Sequence, residues 1–342
     1  MRLEEDDGMV TPASLSILGI GLELPPAVPV ADYAASKGAD VSFYKGWKNV
    51  CHVRDGDDQP STMGGKALGR ALAQSGVAPK DIRLVMFTGV SRDYPPSWSA
   101  ATEVMKLNGI TGDGCVGIDL TIGCLATLSA LDQVQGWLAL RGGGCAAIVA
   151  AERWSHTVDH SNSNIAGMWA WADGGAALVV GMNTGRSAIA EFLGAEFTSC
   201  SDYNGHVLIP YGGTRNPVAP PGVNPFERTL GERPHKEVRA TYARGYGRAY
   251  ETLTRRVGVR GERLIVNQIS WGTIVMVAER FQIPMERVVI TGHDTGHMGV
   301  CDTITGLRRL EERGEIDAPI AIGSSTAYAY GAGMLVPPRG RC

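Results

Sequence analysis

The stretch Asp119-Leu120-Thr121-Ile122-Gly123-Cys124-Leu125-Ala126-Thr127-Leu128 decides how the rest of the chain is read. A short β-type run over 116–120 breaks at Gly123, and a helical pattern follows over 125–140. Leu128, Leu131, Val134, Gln135 and Leu138 share one side of that helix, which is mostly apolar and therefore mostly buried. Gly142-Gly143-Gly144 stops it. A thiol at such a break meets the unpaired N–H groups and positive dipole end of a helix, which favour thiolate over thiol. Most free cysteines are small inert fillers, and Cys115, Cys145, Cys200 and Cys301 read that way. Cys124 stands apart because of its place.

Working outward, strands are expected over 14–22, 84–89, 146–151 and 176–181, with helices over 62–76 and 100–107. The second half starts a similar cycle. It has strands over 187–191, 264–266, 288–291 and 319–323, and helices over 237–257, 271–281 and 303–313. Alternation of strands and helices argues for an α/β fold of two similar halves, 1–184 and 185–342, with largely parallel crossovers. The repeat lies in the order of elements, not in residue identity. Residues 200–236 are loop-rich, and an irregular stretch of that length is more often functional than accidental.

A chain of 342 residues can bury a large core. Its formal charge of -3 suggests neither a nucleic-acid binder nor a membrane-surface protein. The seven cysteines form no C-x-x-C pair, which fits a reducing compartment rather than a disulfide framework or zinc site. The first residues, Met1-Arg2-Leu3-Glu4-Glu5-Asp6-Asp7, lack the apolar core of a signal peptide. No apolar run is long enough to span a bilayer. A soluble cytoplasmic protein is the expectation.

Four segments, in order, resemble the ketoacyl-ACP synthase III enzymes of the thiolase superfamily over nearly the whole chain. Gly123-Cys124-Leu125-Ala126 stands where that family has its nucleophile motif. Trp171-Ala172-Asp173-Gly174-Gly175-Ala176-Ala177 is similar to its glycine-aspartate-glycine-alanine turn. Leu264-Ile265-Val266-Asn267-Gln268-Ile269-Ser270 matches its proline-histidine-glutamine-alanine-asparagine segment, and Ala321-Ile322-Gly323-Ser324 its C-terminal glycine-rich turn. The resemblance implies a thiolase-like five-layered αβαβα fold, a homodimer and a nucleophilic Cys124. An acyl group would pass from CoA or an acyl carrier protein to that cysteine and then to a second substrate. CoA or a phosphopantetheine thioester is then substrate carrier, and no other cofactor is implied. The backbone N–H groups of Cys124 and Ser324 become the implied oxyanion hole; the family has glycine at the latter position.

The chain departs from the family at three further positions. Asn267 stands where the family has its catalytic histidine, and an ungapped reading from the strand over 288–291 puts His297 where it has asparagine. Asp302 follows where a small residue is usual. A carboxylate that accepts from one imidazole nitrogen fixes the tautomer and raises the basicity of the other. Cys124, His297 and Asp302 together suit acyl transfer to a hydroxyl, amine or thiol. This resembles the ketosynthase-III-like acyltransferases of bacterial secondary metabolism, with a small-molecule or carrier-thiol acceptor. Asp302 also begins the helix over 303–313 and reads equally as an N-cap. His293 and Asp294 are a competing pair one turn earlier. Asn267 still suits a hydrogen bond to a thioester carbonyl, so a decarboxylative condensing enzyme is the alternative. A non-catalytic partner subunit is the third reading, and the intact Cys124 speaks against it.

The remaining candidates are weaker. His156 and His160 flank Asp159 at a metal-like spacing, but no third ligand is evident and no metal is expected. The loop Ile209-Pro210-Tyr211-Gly212-Gly213-Thr214-Arg215 suits either a substrate tunnel or a dimer surface, with His206 just before it as a second candidate histidine. Trp47 and Arg54 sit near where the family holds the CoA adenine. Arg233, Lys236, Arg239, Arg244, Arg248, Arg255 and Arg256 make one region basic, which suits docking of an acidic carrier or simply a solvated helix face.

Overall fold

The computed structural model describes residues 14–53, 56–95, 97–111, 114–225 and 228–338. Arg54 and the acidic segment 1–7 lie outside the described residues.

One mixed sheet carries ten strands. In chain order they are β1 Leu15–Glu23, β2 Ile82–Thr88, β3 Val116–Leu120, β4 Gly144–Arg153 and β5 Asp173–Met182. Then come β6 Ala190–Ser199, β7 Arg263–Val266, β8 Val288–Val289, β9 Ile320–Thr326 and β10 Ala329–Val336. Across the sheet they lie in the order β8-β7-β9-β10-β6-β1-β5-β4-β2-β3. On each side of the β6–β1 contact the order is third, second, fourth, fifth and first of that run of five. Parallel pairing is confined to the outer three strands of each run, β3-β2-β4 and β8-β7-β9. The inner pairs are antiparallel, which corrects the expectation of largely parallel crossovers. β9 and β10 show why: a turn too short for a crossover joins them, so they can only pair antiparallel.

Alternation along the strands builds the layers. On β4, Ala146, Ile148 and Ala150 enter one core, while Ala147, Val149 and Ala151 enter another. The first core also takes β5 Leu178 and Val180, β9 Ile320 and Ile322, and two helices, α2 Ala126–Ala139 and α5 Asp302–Glu312. Those helices lie between the two runs of strands, which is why α2 is apolar around most of its circumference. The second core is closed by α1 Pro60–Ser75. A third, outside β7, β9 and β10, is closed by α3 His235–Val257 and α4 Trp271–Phe281. Helix, sheet, helix, sheet, helix is the five-layered arrangement the resemblance implied. Among the described residues, no helix is long and apolar enough to cross a membrane.

Three strands differ from the sequence reading in a way that shapes the site. β4 runs on to Arg153 and so carries the buried Glu152, and β5 starts already at Asp173. The Asp-Gly-Gly read as a turn is sheet because Gly175 admits the backbone of α1; a Cβ there would stand 2.4 Å from the Met63 carbonyl oxygen. β6 begins at Ala190 rather than 187.

α1 starts with Pro60 at its first position and a reciprocal Gln59–Thr62 capping box, and ends at Gly76 with φ 63°. It lies directly on β1, where a Cβ on Gly21 would come 2.0 Å from the Ala67 carbonyl oxygen. Gly21→Ala is therefore expected to cost about 3 kcal/mol or prevent folding. Gly136 sits on the exposed side of α2 with nothing near its missing Cβ. Gly136→Ala is expected to stabilise by about 0.5–1 kcal/mol. Urea unfolding of both variants checks the opposite signs.

Candidate active site

Cys124 follows the left-handed Gly123, φ 55°, in the turn between β3 and α2. A Cβ on Gly123 would stand 2.5 Å from Thr326 Oγ1, so only glycine lets this turn meet the end of β9. Ser324 Oγ of β9 lies 2.9 Å from Cys124 O and 2.7 Å from Asn267 Oδ1, and its single hydrogen can be donated to either.

His297 comes from the second run but is clamped to the first. Its N–H donates to Ala170 O at 2.8 Å, and Ala172 N–H donates to His297 O at 2.9 Å. Gly296, φ 73°, makes room, because a Cβ there would collide with the Ala170 carbonyl oxygen. The short helical turn Gly299–Cys301 then folds the chain back, so that Asp302 reaches His297. Asp302 Oδ2 accepts from His297 Nδ1 at 2.6 Å and from Gln268 N–H at 2.7 Å; Oδ1 accepts from Met298 N–H at 2.9 Å. Asp302 and His297 are each only 1% exposed. Asp302 is thus no N-cap, and α5 has no side-chain cap.

An ionised carboxylate offers no proton, so the Nδ1 proton of His297 is donated to it and Nε2 is left with its lone pair. That nitrogen faces Cys124 Sγ at 3.6 Å. Sulfur, imidazole and carboxylate form one line, able to take a proton from the thiol and return it. The competing pair plays no part: Asp294 binds Arg309 at 2.8 Å, and the His293 ring packs against Trp47.

The Cys124 thiol is shifted away from the thiolate. Burial pushes its pKa up, as do the Glu152 and Asp302 carboxylates; its own backbone N–H and Arg228 oppose them without prevailing. Desolvation acts against the thiolate that the helix terminus was expected to favour. Asn267 is buried and tightly held. Its Oδ1 accepts from Ser324 Oγ and from Ser325 N–H at 3.0 Å, and its Nδ2 donates to Gly299 O at 3.3 Å, leaving one amide hydrogen for other use.

Sequence reasoning missed three charged groups around this line. Glu152 is fully buried and accepts from Val90 N–H, Ser91 N–H and Ser91 Oγ; burial raises its pKa to about 7. A charged pair directly after an apolar run, at the carboxyl end of a strand, was the available signal. Arg228 stacks on Trp154 and Trp171 with ring distances of 4.6 and 5.1 Å. Trp171 in turn meets the His297 ring edge-on at 5.4 Å. Lys48 is buried, donates to Ile269 O at 2.7 Å, and is lowered to about 8 by burial. Nothing local in the sequence marks either cation.

The weaker candidates lie elsewhere. Trp47 packs on Trp271, His293 and Gly292. His206 packs against Tyr203 and Gly231 and is not joined to the Cys124 line. Arg215 is exposed, although its neighbours Tyr211, Gly212 and Gly213 line a cavity. His160 directs its two nitrogens at the Val158 and Trp169 carbonyls, and among the described residues no group of three His, Cys, Asp or Glu could hold a metal.

No family model matches the chain. Beta-ketoacyl-acyl-carrier-protein synthase III of Oleidesulfovibrio alaskensis is 25% identical over 252 residues, covering 72% of this chain and 74% of that protein. Acetoacetyl CoA synthase NphT7 of a Streptomyces species is 26% identical over 220 residues, covering 63% and 64%. Among solved structures, FabH of Xanthomonas oryzae superposes with a TM-score of 0.80 at 18% identity, over 94% of this chain and 98% of that one. OleA of Xanthomonas campestris also gives 0.80 at 18% identity, over 95% and 99%. The chain is thus similar in sequence to ketoacyl-ACP synthase III enzymes and has the thiolase-like fold.

A thiol pushed above its ordinary value carries less thiolate at neutral pH than free cysteine. Labelling of Cys124 by iodoacetamide, read by intact mass, is expected to keep accelerating above pH 9. A rate that is level between pH 6 and 8 contradicts a resting thiol.

Proposed function

We propose that the protein is an acyltransferase of ketoacyl-ACP synthase III type, with Cys124 as nucleophile, His297 as general base and Asp302 as its orienter. The observation that carries this reading is the 2.6 Å bond from His297 Nδ1 to Asp302, with Nε2 turned to the sulfur. His297 takes the Cys124 proton as sulfur attacks a donor thioester. The bond to the carrier sulfur breaks, and the proton goes to the departing thiol. In the second half-reaction an acceptor hydroxyl, amine or carrier thiol gives its proton to His297 and attacks the acyl carbonyl. Cys124 leaves and regains the proton. The backbone N–H groups of Cys124 and Ser324 hold the oxyanion, and the remaining amide hydrogen of Asn267 assists.

The donor is an acyl group on CoA or on the phosphopantetheine of an acyl carrier protein; no metal or further cofactor takes part. The basic helix α3 and Trp47 serve carrier docking, and the acceptor belongs to secondary metabolism. The protein works as a cytoplasmic homodimer, as the sequence resemblance implies.

The second reading is decarboxylative condensation, favoured by the names of the relatives and by the free hydrogen of Asn267. Such a step needs donors towards an enolate rather than a base oriented by a carboxylate. Intact mass after incubation with acyl-CoA is expected to show one acyl adduct, lost in Cys124→Ala; no adduct from any acyl-CoA or acyl carrier protein sinks both readings. Asp302→Asn is expected to lower transfer about 100- to 10,000-fold, the range of general acid–base assistance. Carbon dioxide release from a malonyl thioester, with carbon–carbon bond formation, would decide for condensation.

A further inference from the structure

A cavity of about 650 Å³ lies beside the Cys124 line and is not part of it. Its walls come from the loops after β2 and β4 and from the proline-rich segment before α3. Most of the wall is apolar, including Val90, Pro60, Ile209, Tyr211 and Pro217. Its charges are unbalanced. Arg92, Arg153 and Arg228 border it, against the single carboxylate of Asp93, which Ser61 already binds through N–H and Oγ.

The arginines are not equivalent. Arg92 is matched by Asp119 at 3.3 Å and Thr121 Oγ1 at 2.6 Å. Arg153 donates to the Asp58 and Gly56 carbonyls, both at 2.7 Å. Arg228 is 6% exposed and, among the described residues, donates to the carbonyl and hydroxyl oxygens of Thr157 and forms no direct ion pair, although the buried Glu152 carboxylate is near enough to favour its charge. The two tryptophans hold its plane, and Trp171 joins it to His297. A buried guanidinium with no carboxylate in direct hydrogen-bond contact keeps donors free for a ligand, because Glu152 acts on it only through space. Its planar fork matches a carboxylate in bidentate geometry. Burial lowers Arg228 to about 10, and it stays charged at neutral pH.

We propose that this cavity binds a carboxylate-bearing substrate of the Cys124 reaction, and that Arg228, in its wall, anchors the carboxylate. The inference rests on the acyl-transfer reading and adds a substrate class to it. The carboxylate can belong to the acyl chain, as in a dicarboxylic monothioester, or to the acceptor. The apolar walls take the rest of the ligand, and the volume suits a drug-sized molecule.

The test has two arms, each run on wild type, Arg228→Met and Arg228→Lys, with circular dichroism confirming that the variants fold. In the first, adduct formation on Cys124 is timed with succinyl-CoA and with butyryl-CoA. In the second, the preformed butyryl-enzyme is discharged by 6-hydroxyhexanoate or by 1-hexanol. The expected result is a preference for the carboxylate compound of about ten- to a hundredfold in one arm, the scale of a charged hydrogen-bonded pair. The arm that shows it identifies the source. Arg228→Met removes the preference, and Arg228→Lys restores part of it. No preference in either arm, or one that survives Arg228→Met, overturns the inference. Adducts that form without discrimination leave the acyl-transfer reading standing. Absence of any adduct instead removes that reading.

Discussion

The carboxylate of Asp302 organises everything around it. It is buried, and a buried charge is tolerated only where donors surround it. Three do: the backbone N–H groups of Gln268 and Met298, and Nδ1 of His297. Those donors come from the residues just after β7 and from the turn before α5 that carries both Met298 and the imidazole, so one group of α5 ties two segments together. Gln268 extends the same lattice. Its side chain donates to the Val266 and Val289 carbonyls and accepts from Thr291 and Gly292 N–H. The imidazole tautomer is a consequence of this lattice and not an independent feature.

The second constraint is close approach of backbones. His297 is contributed by one run of strands but hydrogen-bonds to residues 170–172 of the other. Cys124 is contributed by the first run, and its carbonyl meets Ser324 of the second. Gly123 and Gly296 sit where any side chain would block those contacts. The reacting atoms therefore lie at a seam, and α2 and α5 pack between the runs to hold it closed. Desolvation at this seam, with the Glu152 and Asp302 carboxylates, is why the thiol is pushed up rather than down.

Much of the core was legible in residue periodicity. Strands such as β3 and helices such as α2 and α4 lie within a residue or two of where alternation and 3.6-residue spacing put them. The boundaries that moved, at β4, β5 and β6, did so because sheet pairing and close helix contact extend or shift a strand beyond what its own residues require. His297 and Asp302 were nameable from linear order. Their contact was not, because an N-cap and an imidazole partner have the same sequence pattern. Lys48 and Arg228 were invisible, and Glu152 was marked only by its place after an apolar run, for a related reason: each is a charge whose neighbours come from distant segments.

By itself, then, the sequence determined the class of fold and the identity of the central thiol. Those are properties of local spacing and of short ordered motifs. Only the tertiary structure decided the direction in which Asp302 points, the upward shift of the Cys124 thiol and the burial of Arg228 with no direct ion pair among the described residues. Each of these depends on desolvation and on donors brought from across the chain, and neither quantity exists until the chain has folded.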